Sequence, residues 1–339
     1  MSWKKVRAGF TALVLAATCG AMSAACTSEK VGSVSSGSSG DEVAIGLVTK
    51  TNTNPYFVEL REAALAQADK RGAKLIALAG KFDGDNQGQV DAINNLVAQN
   101  VKGILITPSS SEGVLGAIAA ARSEGIMVIA LDTATDPADA VDATFATDNK
   151  AAGVAQGTYV RAALGSKNPN VLLLDGTPGS TVDDQRHTGF LEGMGLTEKS
   201  PEIKGTAVTN GDQTKAQTAM ENLIQRNPDV NAVYTINEPA AAGAAKALAG
   251  KAGADDVVIG SIDGSCTGVR NVKDGRFAAT VMQFPAKMAQ MGVDVVVEYA
   301  DNGSEPSGFI DTGSQLITDD PVPGVPSKDT AWGLKNCWG

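Results

Sequence analysis

The chain has 339 residues, with 28 basic and 38 acidic side chains and a formal net charge of −10, so it has no basic face with which to neutralise the phosphates of a nucleic acid. Hydrophobic residues at 43% and aromatics at 4% make a globular balance, neither disordered nor collagen-like, and the length allows two domains with separate cores. The single histidine, His187, excludes multi-histidine metal sites and leaves a Ser-His-Asp hydrolase one candidate base.

At the N-terminus, Lys4, Lys5 and Arg7 precede an apolar stretch from Ala8 to Ala25 that is interrupted by Gly9, Thr18 and Gly20. It is too short for a comfortable membrane span and reads as an export signal over residues 1–25. Met22-Ser23-Ala24-Ala25-Cys26 looks like a lipobox, in which Cys26 takes a lipid; the alternative is ordinary signal cleavage beside an incidental cysteine. The Ser/Gly-rich run from Thr27 to Gly40 has the composition of a flexible tether, so residues 26–41 read as a lipid-anchored linker. With Cys19 lost in the signal and Cys26 lipidated, Cys266–Cys337 is the only intramolecular pair left in an oxidising compartment; two free thiols are the alternative.

From Glu42 onward, short β-branched apolar runs alternate with helical stretches. The runs are Val43–Thr49, Lys74–Ala79, Gly103–Thr107, Met127–Asp132, Ala143–Thr147, Asn170–Asp175, Gly205–Thr209, Asn231–Asn237, Val257–Asp263 and Phe277–Gln283. Continuous apolar character suits parallel strands buried on both faces. Between them, Ala216, Met220, Leu223 and Ile224 share one helical face, as do Met288, Met291, Val295, Val296 and Tyr299 after Pro285. Repeated βα units with a loosening near Asp139–Asp148 predict an α/β protein of two three-layer, Rossmann-like lobes. The expected parts are residues 42–147 plus 284–312 for the N-terminal lobe and 148–283 plus 313–339 for the C-terminal lobe.

Open α/β sheets bind ligands beyond the carboxyl ends of their strands. Those ends carry Lys50 to Phe57, Asp132-Thr133, Thr147-Asp148-Asn149, Asp183 to Arg186, Asn210-Gly211, Asn237-Glu238, Asp263-Gly264 and Gln283. GxxxxGK[ST] and GxGxxG are both absent, so no phosphate cradle is expected. Carboxylates, amides and a guanidinium suit a hydroxyl-rich ligand, because they donate and accept in fixed planes. The rings of Tyr56 and Phe57 can cover the C–H face of a sugar. Each residue also has a local reading: Asn54 as a helix cap before Pro55, Asp132 and Asp263 as turn formers, Arg186 as a surface ion pair.

With these residues in place, the chain resembles the bacterial solute-binding proteins of sugar ABC importers, of the ribose-binding type. The resemblance runs from about Glu42 to Gly339. It rests on Asn54-Pro55-Tyr56-Phe57, Leu131-Asp132, Thr147-Asp148-Asn149, Arg186 with Gly189-Phe190, Asn237, Asp263-Gly264 and Gln283-Phe284-Pro285. Lys50 to Pro55, Thr235 to Gly243 and Cys337-Trp338-Gly339 are closest to the fructose-binding members. The resemblance implies two lobes joined by three crossovers that close on a sugar by a hinge. It places sugar contacts on Asn54, Tyr56, Phe57, Asp132, Arg186, Asn237, Asp263 and Gln283. Thr133 stands where ribose binders usually carry Arg, and Lys50 where they carry a small polar residue, so the cation is expected to have moved between strand ends. An aromatic contact of the ribose binders falls on Gly211 and is missing.

The function implied is an extracytoplasmic, lipid-anchored or periplasmic binding protein, without catalysis, cofactor or metal. It would act as a monomer and deliver fructose to a permease, with xylitol, sorbitol or a pentose as alternatives. A sugar sensor for a membrane receptor is the competing class. A glycosidase using Asp132 and Asp263 is disfavoured. Asp83 to Asp91 superficially resembles a calcium loop but has Asn94 in place of the bidentate Glu, and reads better as a helix cap. Asn302-Gly303-Ser304 reads as a turn, and His187 as a surface or hinge-side residue.

Overall fold

The computed structural model describes residues 42–251 and 253–339; the expected export signal, Cys26 and the expected linker lie outside the described residues. The expected strands form, most of them shorter by one to three residues at their ends, with β7 beginning two residues before the expected Gly205. They are β1 (Ala44–Thr49), β2 (Lys74–Ala79), β3 (Gly103–Ile106), β4 (Met127–Leu131) and β5 (Ala143–Ala146), then β6 (Val171–Asp175), β7 (Ile203–Val208), β8 (Ala232–Thr235), β9 (Val258–Asp263) and β10 (Ala279–Met282). Two further strands, β11 (Gly308–Asp311) and β12 (Gln315–Ile317), were not expected.

They build two six-stranded sheets, in the orders β11-β5-β4-β3-β1-β2 and β12-β10-β9-β8-β6-β7. The orders correspond position by position, so each strand of one lobe has a counterpart in the other. All pairings are parallel except β10–β12. Central strands such as Gly103–Ile106 and Ala232–Thr235 are buried along their whole length, as parallel strands covered on both faces must be. This is the two-lobe α/β architecture expected. The chain leaves the first sheet after β5, returns after β10 through Gln283-Phe284, and leaves again after β11.

Helices α1 (Pro55–Lys70), α2 (Asn86–Ala98), α3 (Leu115–Ser123) and α9 (Pro285–Asn302) cover the first sheet. Helices α4 (Asn149–Ala163), α5 (Thr181–Met194), α6 (Gln213–Arg226), α7 (Glu238–Leu248), α8 (Cys266–Lys273) and α10 (Thr330–Asn336) belong with the second. The closest helix pair is α4–α5. A Cβ on Gly153 or Gly157 would collide with the carbonyls of Arg186 or Phe190, and one on Gly189 or Gly193 with those of Lys150 or Val154. Four glycines thus let two backbones touch, which fixes Asn149 at the start of α4 against Arg186 on α5.

Among the described residues no helix is long and apolar enough to cross a membrane. The Asp83–Asp91 segment caps α2: Asp85 accepts from Gly88 N at 3.0 Å. Among the described residues no group of three or more His, Cys, Asp or Glu could hold a metal ion. Cys266 and Cys337 form a disulfide across a separation of 71 residues. Gly303 ends α9 in a left-handed turn.

Candidate functional site

Two aspartates at matching places in the two sheets set the frame. Asp132 follows β4 and Asp263 ends β9, and these strands occupy equivalent positions. Both have positive φ, 64° and 155°, a conformation that costs a non-glycine residue energy and is held only where the surroundings demand it. Both are 4% exposed.

Lys50, Asn54, Tyr56, Phe57, Asp132, Arg186, Asn237, Asp263 and Gln283 line one cavity between the lobes. Thr133 is the expected residue that does not. It is fully buried behind the cavity, where its hydroxyl donates to Asp132 Oδ2 at 3.1 Å. The turn at Asp132 sends successive side chains in different directions, so its neighbour supports the carboxylate instead of facing the ligand space.

The first lobe contributes through the β1–α1 loop. Asn54 Oδ1 accepts from Tyr56 N at 3.0 Å and caps α1, while the residue also lines the cavity. Tyr56 donates to Met288 Sδ at 3.3 Å and meets Phe57 edge-on at 5.5 Å. Lys50 is 3% exposed, not on the rim. Its Nζ lies 3.8 Å from Asp83 in its own lobe and 3.5 Å from Ser180 Oγ in the other.

In the second lobe, Arg186 is fastened from behind. Its Nε donates to Asn149 Oδ1 at 2.8 Å and its Nη1 to the Ile236 carbonyl at 2.9 Å. That leaves Nη2 facing Asp132 Oδ1 at 3.9 Å. Asn237 caps α7 through Oδ1 and donates to the Gly211 carbonyl. Gln283 Nε2 donates to Asp263 Oδ1 at 3.1 Å, and Glu238 N donates to Asp263 Oδ2 at 3.2 Å.

Glu238 is buried next to Asp263. It accepts from Gly264 N, Ser265 N, Ser265 Oγ and Thr280 Oγ1. Burial raises the pKa of both carboxyls, and the charge of Glu238 raises Asp263 further. Glu238, with four donors, is the better solvated of the two, so Asp263 is the acid held up most strongly. Burial raises Tyr56 as well, keeping its phenol neutral.

A water molecule's centre can range over about 40 Å³ in the cavity. Taken as a sphere, that space with the molecule's own radius added back is a void of roughly 180 Å³, the size of one monosaccharide. Asp83 Oδ1, Asp132 Oδ1, Asp183 Oδ1 and Gln283 Oε1, all on lining residues, are buried without a hydrogen-bond partner. Unpaired buried acceptors are costly, and four together call for a ligand rich in donors. A wider groove shares Asn54, Asp83, Gly211 and Asp263 with the cavity.

Sequence reasoning missed Asp83 and Asp183 as lining residues, Asn149 as the support of Arg186 and Asp132, and Glu238 as that of the Asp263 turn. Asp83 was absorbed into the helix-capping loop. Asp183, Asn149 and Glu238 stood in the strand-end motifs, but nothing local distinguished them from turn formers.

A model of the periplasmic binding protein domain matches residues 45–305. The chain belongs to the periplasmic binding protein family. It is 34% identical over 255 residues to the ribose import binding protein RbsB of Salmonella typhimurium, covering 74% of this chain and 82% of the relative. It is 29% identical over 265 residues to the D-allose-binding periplasmic protein of Escherichia coli K12, with coverages of 76% and 84%. Among solved structures it is similar to an ABC transporter periplasmic solute binding protein from Actinobacillus succinogenes with bound D-allose. There the TM-score is 0.74 at 25% identity, covering 82% of this chain and 98% of that one. A solute binding protein from Mycobacterium smegmatis with bound glycerol gives 0.74 at 28% identity, covering 81% and 93%. These periplasmic binding proteins are named for binding and import, and the family assignment makes this chain a binding protein and not an enzyme.

Proposed function

We propose that the chain is the extracytoplasmic solute-binding protein of a sugar ABC importer. As a monomer, it takes one monosaccharide or sugar alcohol in the interlobe cavity and presents it to the permease in the closed form. The single observation that carries this is the convergence of partnerless buried acceptors from both lobes on a monosaccharide-sized void. The names of the relatives and the ligands in the similar structures agree with it. In this reading Lys50, Asn54, Tyr56, Phe57, Asp132, Arg186, Asn237, Asp263 and Gln283 touch the ligand, joined by Asp83 and Asp183. The lobes comprise residues 42–147 plus 284–312 and 148–283 plus 313–339.

Fructose is the ligand put first, on the sequence resemblance and on the exchange of cations at Lys50 and Thr133; a sugar alcohol or a pentose comes next. The relatives put ribose and D-allose in the same comparison. A ligand bound only by the folded state raises the melting temperature by mass action. A thermal-shift panel of fructose, ribose, D-allose, D-arabinose, xylitol and sorbitol should therefore single out one or two. No stabilisation by any monosaccharide or polyol would overturn the proposal.

The same proposal makes Cys26 a lipid-modified anchor and residues 26–41 its tether. Metabolic labelling with palmitate should mark the wild type and not Cys26→Ser.

A further inference from the structure

The C-terminal tail is bolted to the second lobe. Cys337 is bonded to Cys266, the first residue of α8, and Cys266 N donates to the Trp338 carbonyl at 2.8 Å. Trp338 also bridges to Ser265 as a short parallel pair, and α10 packs on α8. The Trp338 side chain nevertheless sits in the core of the first lobe. It is 8% exposed and clusters with Tyr56, Phe57 and Met288, and its ring meets Tyr56 edge-on at 5.6 Å and 79°. Its indole Nε1 is shared between the carbonyls of Asp263, at 3.3 Å, and Gln283, at 3.1 Å.

One side chain, carried by one lobe and buried in the other, therefore touches three of the residues assigned to the ligand. Two contacts are to the backbone behind Asp263 and Gln283, where Asp263 has φ 155°. The third is to the ring of Tyr56. Gln283 also leads directly into the crossover to α9. An indole buries a large area and needs a partner for its N–H; here the N–H partners belong to the lobe that carries Trp338, while the ring is buried against Tyr56, Phe57 and Met288 only while the two lobes lie together.

We infer that Trp338 is an interlobe strut and a positioning residue. It favours the closed arrangement, holds the Asp263 and Gln283 backbones in their binding geometry, and is itself held in register by the Cys266–Cys337 disulfide. An internal contact made only in the closed form shifts the open–closed equilibrium as a ligand does, and raises apparent affinity by enlarging the competent fraction. The inference about affinity rests on the sugar-binding reading above; the inference about closure does not.

Small-angle scattering on the ligand-free protein tests closure directly. Trp338→Ala and Cys266→Ser/Cys337→Ser should each have a larger radius of gyration than the wild type, with Trp338→Phe, which keeps a ring against Tyr56, in between. Identical radii in wild type and variants overturn the strut whether or not a sugar has been found. Calorimetry with the sugar chosen by the thermal-shift panel then reads positioning. Trp338→Ala should bind about tenfold more weakly, and Trp338→Phe should recover part of the loss. Unchanged affinity in both, with the wild type binding, overturns the positioning role. A wild type that binds no sugar overturns the sugar-binding reading instead, and the scattering comparison still decides the strut. Should Trp338→Ala not fold, Trp338→Phe and the double serine variant carry the scattering test.

Discussion

Arg186 Nη2 stands 3.9 Å from Asp132 Oδ1, across the space between the lobes, and that oxygen has no hydrogen-bond partner. The separation is too long for a hydrogen bond and short enough for strong attraction in a poorly hydrated site. Asn149 sets it from both sides, accepting from Arg186 Nε and donating to the Asp132 carbonyl at 3.3 Å. Because Asn149 opens α4 just after the first crossover, one amide at the hinge registers a cation of one lobe against a carboxylate of the other. A sugar hydroxyl between them could donate to Asp132 and accept from Arg186.

Removing the guanidinium should therefore cost binding. Hydrogen bonds to charged groups are worth about 1.5–3 kcal/mol, so Arg186→Ala should weaken affinity by roughly ten- to a hundredfold or more. Arg186→Lys should recover little, because an ammonium cannot serve Asn149, the Ile236 carbonyl and the ligand at once. Titration calorimetry with the sugar from the thermal-shift panel measures both, and an unchanged dissociation constant would contradict this placement of Arg186.

Lys50 is expected to set selectivity. It lies among Asp83, Ser180 and the cavity. Lys50→Ser should change the ratio of affinities for fructose, xylitol and ribose, not merely scale all three. It should also lower stability by about 1–2 kcal/mol, since the half-buried Asp83 carboxylate loses its partner. Calorimetry on the three ligands and a urea titration separate the effects; equal affinities for all three in wild type and variant would exclude a role in choice of sugar.

Affinity should rise with pH near 6. Burial lifts the Asp183 carboxyl from 3.8 to about 6, Lys50 opposes the lift and Asp83 adds to it. A hydroxyl donating to the partnerless Asp183 oxygen favours the ionised form, so binding expels a proton and strengthens as pH climbs from about 5 to 7. The sign for folding is opposite. A raised carboxyl pKa means that ionisation is harder in the fold, so this group's contribution to stability falls between pH 4 and 6. Asp183→Asn should flatten the pH dependence of affinity; a slope surviving in that variant would assign it to another group.

His187 should stabilise the second lobe up to alkaline pH. Its Nδ1 meets Asp175 at 2.7 Å and its Nε2 meets Glu198 at 3.0 Å. The hydrogen bond to Asp175 raises its pKa from 6.5 to about 9, against the pull of burial, with the charges of Asp175 and Glu198 adding. The stabilisation is complete below about pH 6.5 and is lost as pH rises through 9. After allowance for solvent screening it amounts to about 1–2 kcal/mol. Melting temperatures from pH 6 to 10 should fall for the wild type and fall less steeply for His187→Gln.

The sequence by itself determined the first ten strands, most of them continuously apolar because burial on both faces leaves a plain signature; the outer strands β2 and β7 are only partly buried. It also determined the polar inventory at their carboxyl ends, since a βα unit places those ends without reference to anything distant. Nine of the ten expected ligand residues line one cavity for this reason. Strand β11 escaped notice because Gly308–Asp311 is an exposed edge with no alternation, and β12 because three residues are too short for a period to register. Only the tertiary structure decided which strand-end side chains face the void and which prop others up. Thr133 turned out to support Asp132, while Asp83 and Asp183 joined the lining. Trp338, some 75 residues from Asp263 in sequence, came to lie beneath it through the disulfide and the meeting of two lobes. Such roles depend on the direction of a side chain at a positive-φ turn and on long-range packing, neither of which local periodicity or spacing encodes.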